Sequence, residues 1–200
     1  MEYGYWIKTK PAYSNLSWVS SATRHIVLAE GAGGLAVIRM YQERPPAQPV
    51  SVHYVLTDED RHYAQAIIKG IQVESLHIHT NVDEAIAVLG TELSSAYMGL
   101  RLYLAGSEHM MWQAVKTAYE HGLSYQEMQL EQAGTLARPV YCVHCKAITP
   151  HATTNIAACV GCGKMLFVRD HFSRQLGAYM GFMIDAENPG ELPEIAEVYP

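Results

Sequence analysis

Cysteine is absent from the first 141 of the 200 residues, and the four that exist fall within positions 142 to 162. No apolar run approaches the ~20 residues a membrane span requires. The Met1-Glu2-Tyr3 start lacks the basic and apolar regions of a secretory signal, so a cytoplasmic location is expected. Basic residues are also few. Fourteen Lys and Arg against 20 Asp and Glu give a net charge of −6 with no basic stripe, which excludes a nucleic-acid partner because such a surface repels phosphate. Phenylalanine is scarce, three against 13 tyrosines, yet 49% apolar and 17% charged residues remain the composition of a globular protein. The length allows one ordinary domain or two small ones, and excludes neither.

Residues 1–23 carry Tyr3, Tyr5, Trp6, Tyr13 and Trp18, with Pro11 interrupting any regular element, and read as an arm lying against a body. From Arg24 the rhythm changes. An apolar run His25 to Ala29 has strand character, the glycines Gly31, Gly33 and Gly34 follow, and Leu35 to Glu43 has helical spacing. A second strand over Val50 to Leu56, a helix over 58–70 behind Thr57-Asp58-Glu59-Asp60, and a third strand over 76–80 come next. Asn81-Val82-Asp83-Glu84 opens a capped helix to about Leu93. Leu100 to Ala105 is a strand, Gly106-Ser107 a turn, Glu108 to His121 a helix stopped by Gly122, and Met128 to Glu131 a last short strand. Strands alternating with helices over short connections predict an α/β fold, a Rossmann-like doubly wound parallel sheet over 24–136.

Beyond Gly134 the pattern breaks. Cys142-Val143-His144-Cys145 and Cys159-Val160-Gly161-Cys162-Gly163 stand thirteen residues apart. Each C-x-x-C is a tight knuckle aiming two thiolates at one point, and two knuckles supply the four sulfurs preferred by Zn²⁺ or a single iron. Cys142, Cys145, Cys159 and Cys162 are therefore the predicted metal ligands. A structural zinc stapling a small ribbon, an iron centre for electron transfer, and a redox or metal-free role remain as alternatives at this point. Gly163 suits the left-handed position after a knuckle, where Lys146 stands in the first one. Lys146 and Lys164 would also soften the charge of four thiolates. His144 is read as a neighbour of the site. A helix is predicted over 170–180, completing a small four-cysteine lobe of zinc-ribbon or rubredoxin-like type over 137–184. The tail 185–200 has five acids, three prolines and no basic residue. That tail is either a solvated terminus or an extended segment packed along a partner or its own body.

Other residues carry less. A glycine turn between strand and helix is where a pyrophosphate sits on backbone amides, making Gly31, Gly33 and Gly34 the candidate cofactor-binding residues, although the full G-x-G-x-x-G is missing. His25, His53, His77 and His79 read as ordinary histidines rather than a second metal site. His171 reads as buttressing a helix, and Met110-Met111-Trp112 as core. No catalytic residue is assigned.

The block Leu102-Tyr103-Leu104-Ala105-Gly106-Ser107-Glu108-His109-Met110-Met111, with its helix, Gly122 and closing strand, resembles the end of the nicotinamide-binding domain of the ferredoxin-NADP reductase family. Residues 24 to 131 can be laid on that domain in order. Ala105 replaces that family's cysteine near the hydride position, Thr57-Asp58-Glu59 replaces its arginine, and no flavin barrel precedes the domain. These departures weigh against NAD(P) binding and hydride transfer in this chain. Over the last 60 residues, Tyr141 to Cys145, the second knuckle, Val168 to Arg174 and Pro189 to Glu194 resemble the DmmA-like small subunit of bacterial dimethylamine monooxygenase, a haem-dependent oxidative N-demethylase. The resemblance implies an accessory subunit of a complex whose other chains carry haem, flavin, an iron–sulfur centre and a folate-linked domain. The assembly so implied oxidises a secondary methylamine with NADPH and O₂. A rubredoxin-type subunit relaying electrons to the haem chain is the alternative.

Overall fold

The computed structural model describes residues 9–57, 60–71 and 73–200. It divides into two compact units, residues 13–136 and residues 9–12 with 137–200. Tyr3, Tyr5 and Trp6 of the expected arm lie outside the described residues.

In the first unit five strands form one parallel sheet, ordered β3-β2-β1-β4-β5: β1 (Arg24–Glu30), β2 (Val50–Val55), β3 (Ser75–His79), β4 (Leu100–Gly106) and β5 (Met128–Gln132). Strands covered on both faces need continuous apolar runs, and β1, β2 and β4 are buried almost throughout. Four helices supply the cover: α1 (Gly34–Glu43) packs with α2 (Arg61–Gly70), and α3 (Val82–Leu93) with α4 (Glu108–Glu120). The α1–α2 layer meets Val27, Ala29, Val52, Tyr54, Tyr103 and Ala105 through Ala36, Val37, Met40, Ala64 and Ile67. Side chains alternate across a strand, so Ile26, Leu28, Leu102 and Leu104 face the α3–α4 layer. Burying one such side chain is worth about 1.5–3 kcal/mol.

Helix ends follow the local chemistry. The Asn81 side chain accepts from the Glu84 N–H at 2.9 Å, and the Ser107 hydroxyl accepts from the Met110 N–H at 3.2 Å. Gly122, at φ 83°, ends the turn after α4. The predicted helix over 58–70 begins instead at Arg61. Thr57 does not cap it; its hydroxyl donates to the Asp60 carboxylate at 3.0 Å, and Asp58 and Glu59 lie outside the described residues. Residues 13–19 pack on this unit: Leu16 is buried, its N–H donating to Glu131 at 2.7 Å, and the Trp18 indole donates to the Met40 carbonyl.

The second unit has a sheet ordered β7-β6-β10-β9-β8, built from β6 (Arg138–Cys142), β7 (Ile148–Ala152), β8 (Ile156–Ala158), β9 (Met165–Ser173) and β10 (Ala178–Met183). The helix predicted over 170–180 does not exist. Its residues form the end of β9, a turn closed by Gly177 at φ 64°, and the start of β10. The physical reason is pairing: Leu166, Val168 and Phe172 point inward with period 2, and β10 pairs with β9 as far as Ser173 while β8 pairs with Met165 to Phe167, whereas 170–176 offers no apolar helical face. His171 therefore buttresses no helix; it is exposed on β9. The tail is extended against its own unit. Val198 and Tyr199 donate backbone N–H to the Thr153 carbonyl, and Arg138 lies between the rings of Tyr179 and Tyr199, 4.1 and 3.8 Å from their centroids.

Candidate metal centre

The two knuckles are built alike. The Lys146 N–H donates to the Cys142 carbonyl and the Cys142 N–H to the Ala147 carbonyl, each at 2.9 Å; Gly163 to Cys159 and Cys159 to Lys164 repeat both bonds at 2.9 Å. Closing such a turn needs a left-handed residue four places after the first cysteine. Gly163 provides it at φ 70°, and Lys146 adopts the same φ despite its Cβ. The Lys146 ammonium donates to the Val143 carbonyl at 2.7 Å.

The result is convergence. All four Sγ atoms lie within 4.8 Å of one another, with Cys142 to Cys162 at 3.8 Å and Cys145 to Cys159 at 3.5 Å. A tetrahedral ion with Zn–S bonds of about 2.3 Å separates its sulfurs by about 3.8 Å, so the donor set fits a tetrahedral metal. Gly161 permits the approach: a Cβ there would stand 2.7 Å from Ala147 Cβ and 3.1 Å from Cys145 Sγ. This glycine was not singled out from sequence, where only its place inside the second knuckle marked it. Cys142 and Cys159 are buried, while Cys145 and Cys162 are half-buried. Burial opposes ionisation of Cys159, but N–H groups of Cys162 and Gly161 and the neighbouring thiols hold it down to about 6. At Cys145 the Ala147 amide favours the thiolate, yet burial and the other thiols push it up to about 12. His144 is exposed and outside the cluster.

The glycine turn is tightly packed. A Cβ on Gly33 would lie 2.2 Å from the Ala105 carbonyl oxygen, one on Gly34 2.8 Å from Tyr54 and Tyr63, and one on Gly31 2.9 Å from the Asp60 carboxylate. The Tyr54 hydroxyl donates to the Gly31 carbonyl at 2.7 Å. Glu30, the residue before the turn, accepts from the N–H and hydroxyl of Ser107, placing a carboxylate between the ends of β1 and β4. Nothing in the sequence paired Glu30 with Ser107, 77 positions away.

Of the four histidines considered as a second site, His53, His77 and His79 come together on one face of the parallel sheet. His25 is apart, buried against Trp18 and Tyr103. Among the described residues, the cysteines are the one group of three or more His, Cys, Asp or Glu side chains whose donor atoms converge. No helix among them is long and apolar enough to cross a membrane.

Two family descriptions match: the N-terminal domain of dimethylamine monooxygenase subunit DmmA-like proteins over residues 5–128, and the C-terminal domain of the same proteins over residues 139–182. The chain belongs to the DmmA-like family. Within that family assignment, the first matched stretch ends at the first residue of β5 and the second begins inside β6, and all four cysteines lie in the second. A relative, the heme-dependent oxidative N-demethylase delta subunit of Ectopseudomonas mendocina (strain ymp), is 30% identical over 181 residues, 90% of each chain.

Proposed function

We propose that the chain is an accessory subunit of a cytoplasmic, multi-subunit N-demethylase that oxidises a secondary methylamine with NADPH and O₂, the haem, flavin and iron–sulfur centre residing on other subunits. The relative's description as a delta subunit supports a place in a complex. The observation that carries the accessory role is the closed donor set. Four convergent thiols fill a tetrahedral shell and leave no position for substrate or water.

In this reading Cys142, Cys145, Cys159 and Cys162 hold zinc, which contributes folding free energy to a unit with a small core. The parallel sheet is a Rossmann-like scaffold for docking. Gly31, Gly33 and Gly34 serve close packing, since the Glu30 carboxylate beside the turn repels a pyrophosphate. Elemental analysis and a visible spectrum of the purified chain test this directly: stoichiometric zinc in a colourless protein, without NADPH oxidation by the chain alone, is expected. Robust NADPH oxidation by the isolated chain overturns the accessory role. Co-purification with haem and flavin subunits tests the complex.

A rubredoxin-type electron relay is the second reading. It is favoured by the partial exposure of Cys145 and Cys162, which brings half of the donor set close to the surface. A coloured protein with one iron per chain selects it.

A further inference from the structure

On the face of the parallel sheet under α3, four ionisable side chains stand in a row. Glu92 Oε2 is 2.7 Å from His53 Nε2, His53 Nδ1 is 3.2 Å from His79 Nε2, and His79 Nδ1 is 3.7 Å from Glu84 Oε1. His53 is fully buried and His79 is 3% exposed. Both carboxylates belong to α3, so the two imidazoles bridge the ends of one helix. The groups facing this row are Arg24 from β1, which pairs with Glu92 at 3.0 Å and Glu74 at 2.9 Å, and His77 from β3, stacked on His53 at 4.9 Å.

Proton counting decides what the row does. Three contacts each require one proton, but two neutral imidazoles carry two ring protons in total. Glu92 accepts only, so His53 bears its proton on Nε2; its Nδ1 then accepts from His79 Nε2–H. His79 Nδ1 is left as a bare acceptor facing a second acceptor, and it is a buried atom without a hydrogen-bond partner. Glu84 is meanwhile turned to Thr80, accepting from its N–H and its hydroxyl, both at 3.1 Å.

We propose that His53 and His79 act as one proton-binding pair, and that uptake of a single proton at His79 Nδ1 draws Glu84 from Thr80 onto His79, making the α3 joint pH-sensitive. The proton comes from solvent along the half-exposed Glu84, and no other bond changes. Burial, with repulsion from the neighbouring imidazoles, holds His79 below the ordinary histidine value, so the joint is in its two-proton form at neutral pH and takes up its third proton only below that value.

Nitrogen-15 NMR of the histidine side chains in the full, metal-loaded chain tests this between pH 8 and pH 5. The expected result is a bare Nδ1 on His79 at pH 8, protonation of that atom on acidification, and a shift of the Thr80 amide with the same midpoint. Glu84→Gln, a change on an exposed first turn, lowers the His79 midpoint by about half a pH unit through loss of a screened charge. A proton on His79 Nδ1 at pH 8, a Thr80 shift that does not track His79, or an unchanged midpoint in Glu84→Gln each overturns the proposal.

Discussion

The Glu30 carboxylate receives two hydrogen bonds from Ser107, one from its backbone N–H at 3.1 Å and one from its hydroxyl at 2.5 Å, across the gap between β1 and β4. The same Ser107 caps α4, so the end of β1 is tied to the start of a helix that follows the neighbouring strand. Gly33 closes the remaining space. Gly33→Ala puts a Cβ 2.2 Å from backbone and is expected to cost about 3 kcal/mol, the upper part of the overpacking range, read as a lower urea midpoint. NADPH titrated onto the wild-type chain is expected to leave its tryptophan fluorescence unchanged.

Loss of the four-thiol site should act locally. Chelation, or Cys159→Ser, is expected to abolish amide-exchange protection over residues 137–184 while β1, β2 and β4 keep theirs, because the parallel sheet has its own apolar core and all four thiols converge in the second unit. Equal loss of protection in both units contradicts this.

Lys146 carries a left-handed φ of 70° that favours glycine. Lys146→Gly is expected to stabilise the protein by up to about 1 kcal/mol, reduced by loss of the ammonium bond to Val143. Gly163→Ala, at the equivalent place in the second knuckle, should destabilise by a similar amount. Paired thermal melts measure both.

Acid sensitivity of the first unit should centre on Glu92. Burial raises its pKa, but bonds from His53, Ser51 and Arg24 outweigh it and hold the carboxyl down to about 2. Its folded value lies below its unfolded one, so its stabilisation is complete above about pH 4.5 and is lost as pH falls toward 2. Glu92→Gln should cost about 2 kcal/mol at pH 7 and flatten the acid-denaturation curve in that window.

Arg138 is 8% exposed, stacked between Tyr179 and Tyr199 and paired with Asp170 at 2.7 Å. Arg138→Ala is expected to cost about 2 kcal/mol and to speed proteolysis between Glu194 and Tyr199, followed by mass spectrometry.

The parallel sheet was legible because each of its elements is locally encoded. Continuous apolar runs mark β1 and β4, and Asn81 announces the helix it caps, whereas Ser107, which reads as part of a turn, proves to cap α4. The cysteine spacing likewise announced a convergent cluster. The second sheet was not legible at β9, where Arg169, Asp170 and His171 are exposed in succession and hide the period of 2 that Leu166, Val168 and Phe172 follow. That strand is specified by its neighbours, which lie elsewhere in sequence. The Glu92 to His53 contact spans 39 positions and joins a helix to a buried strand, so no local pattern encodes it.

Residues 9–12 complete the second unit: Lys10 pairs with Asp170 at 2.7 Å, and the Thr9 hydroxyl accepts from the Phe172 N–H at 3.2 Å. Topologically, the parallel-sheet body is an insertion within the four-cysteine unit. During synthesis the early segment must wait until β9 emerges, by which time every strand of the body has been made. A fragment starting at residue 137 retains all four thiols but loses the Lys10 ion pair to Asp170 and keeps the one to Arg138, so excising the four-cysteine unit at that boundary removes part of its own framework.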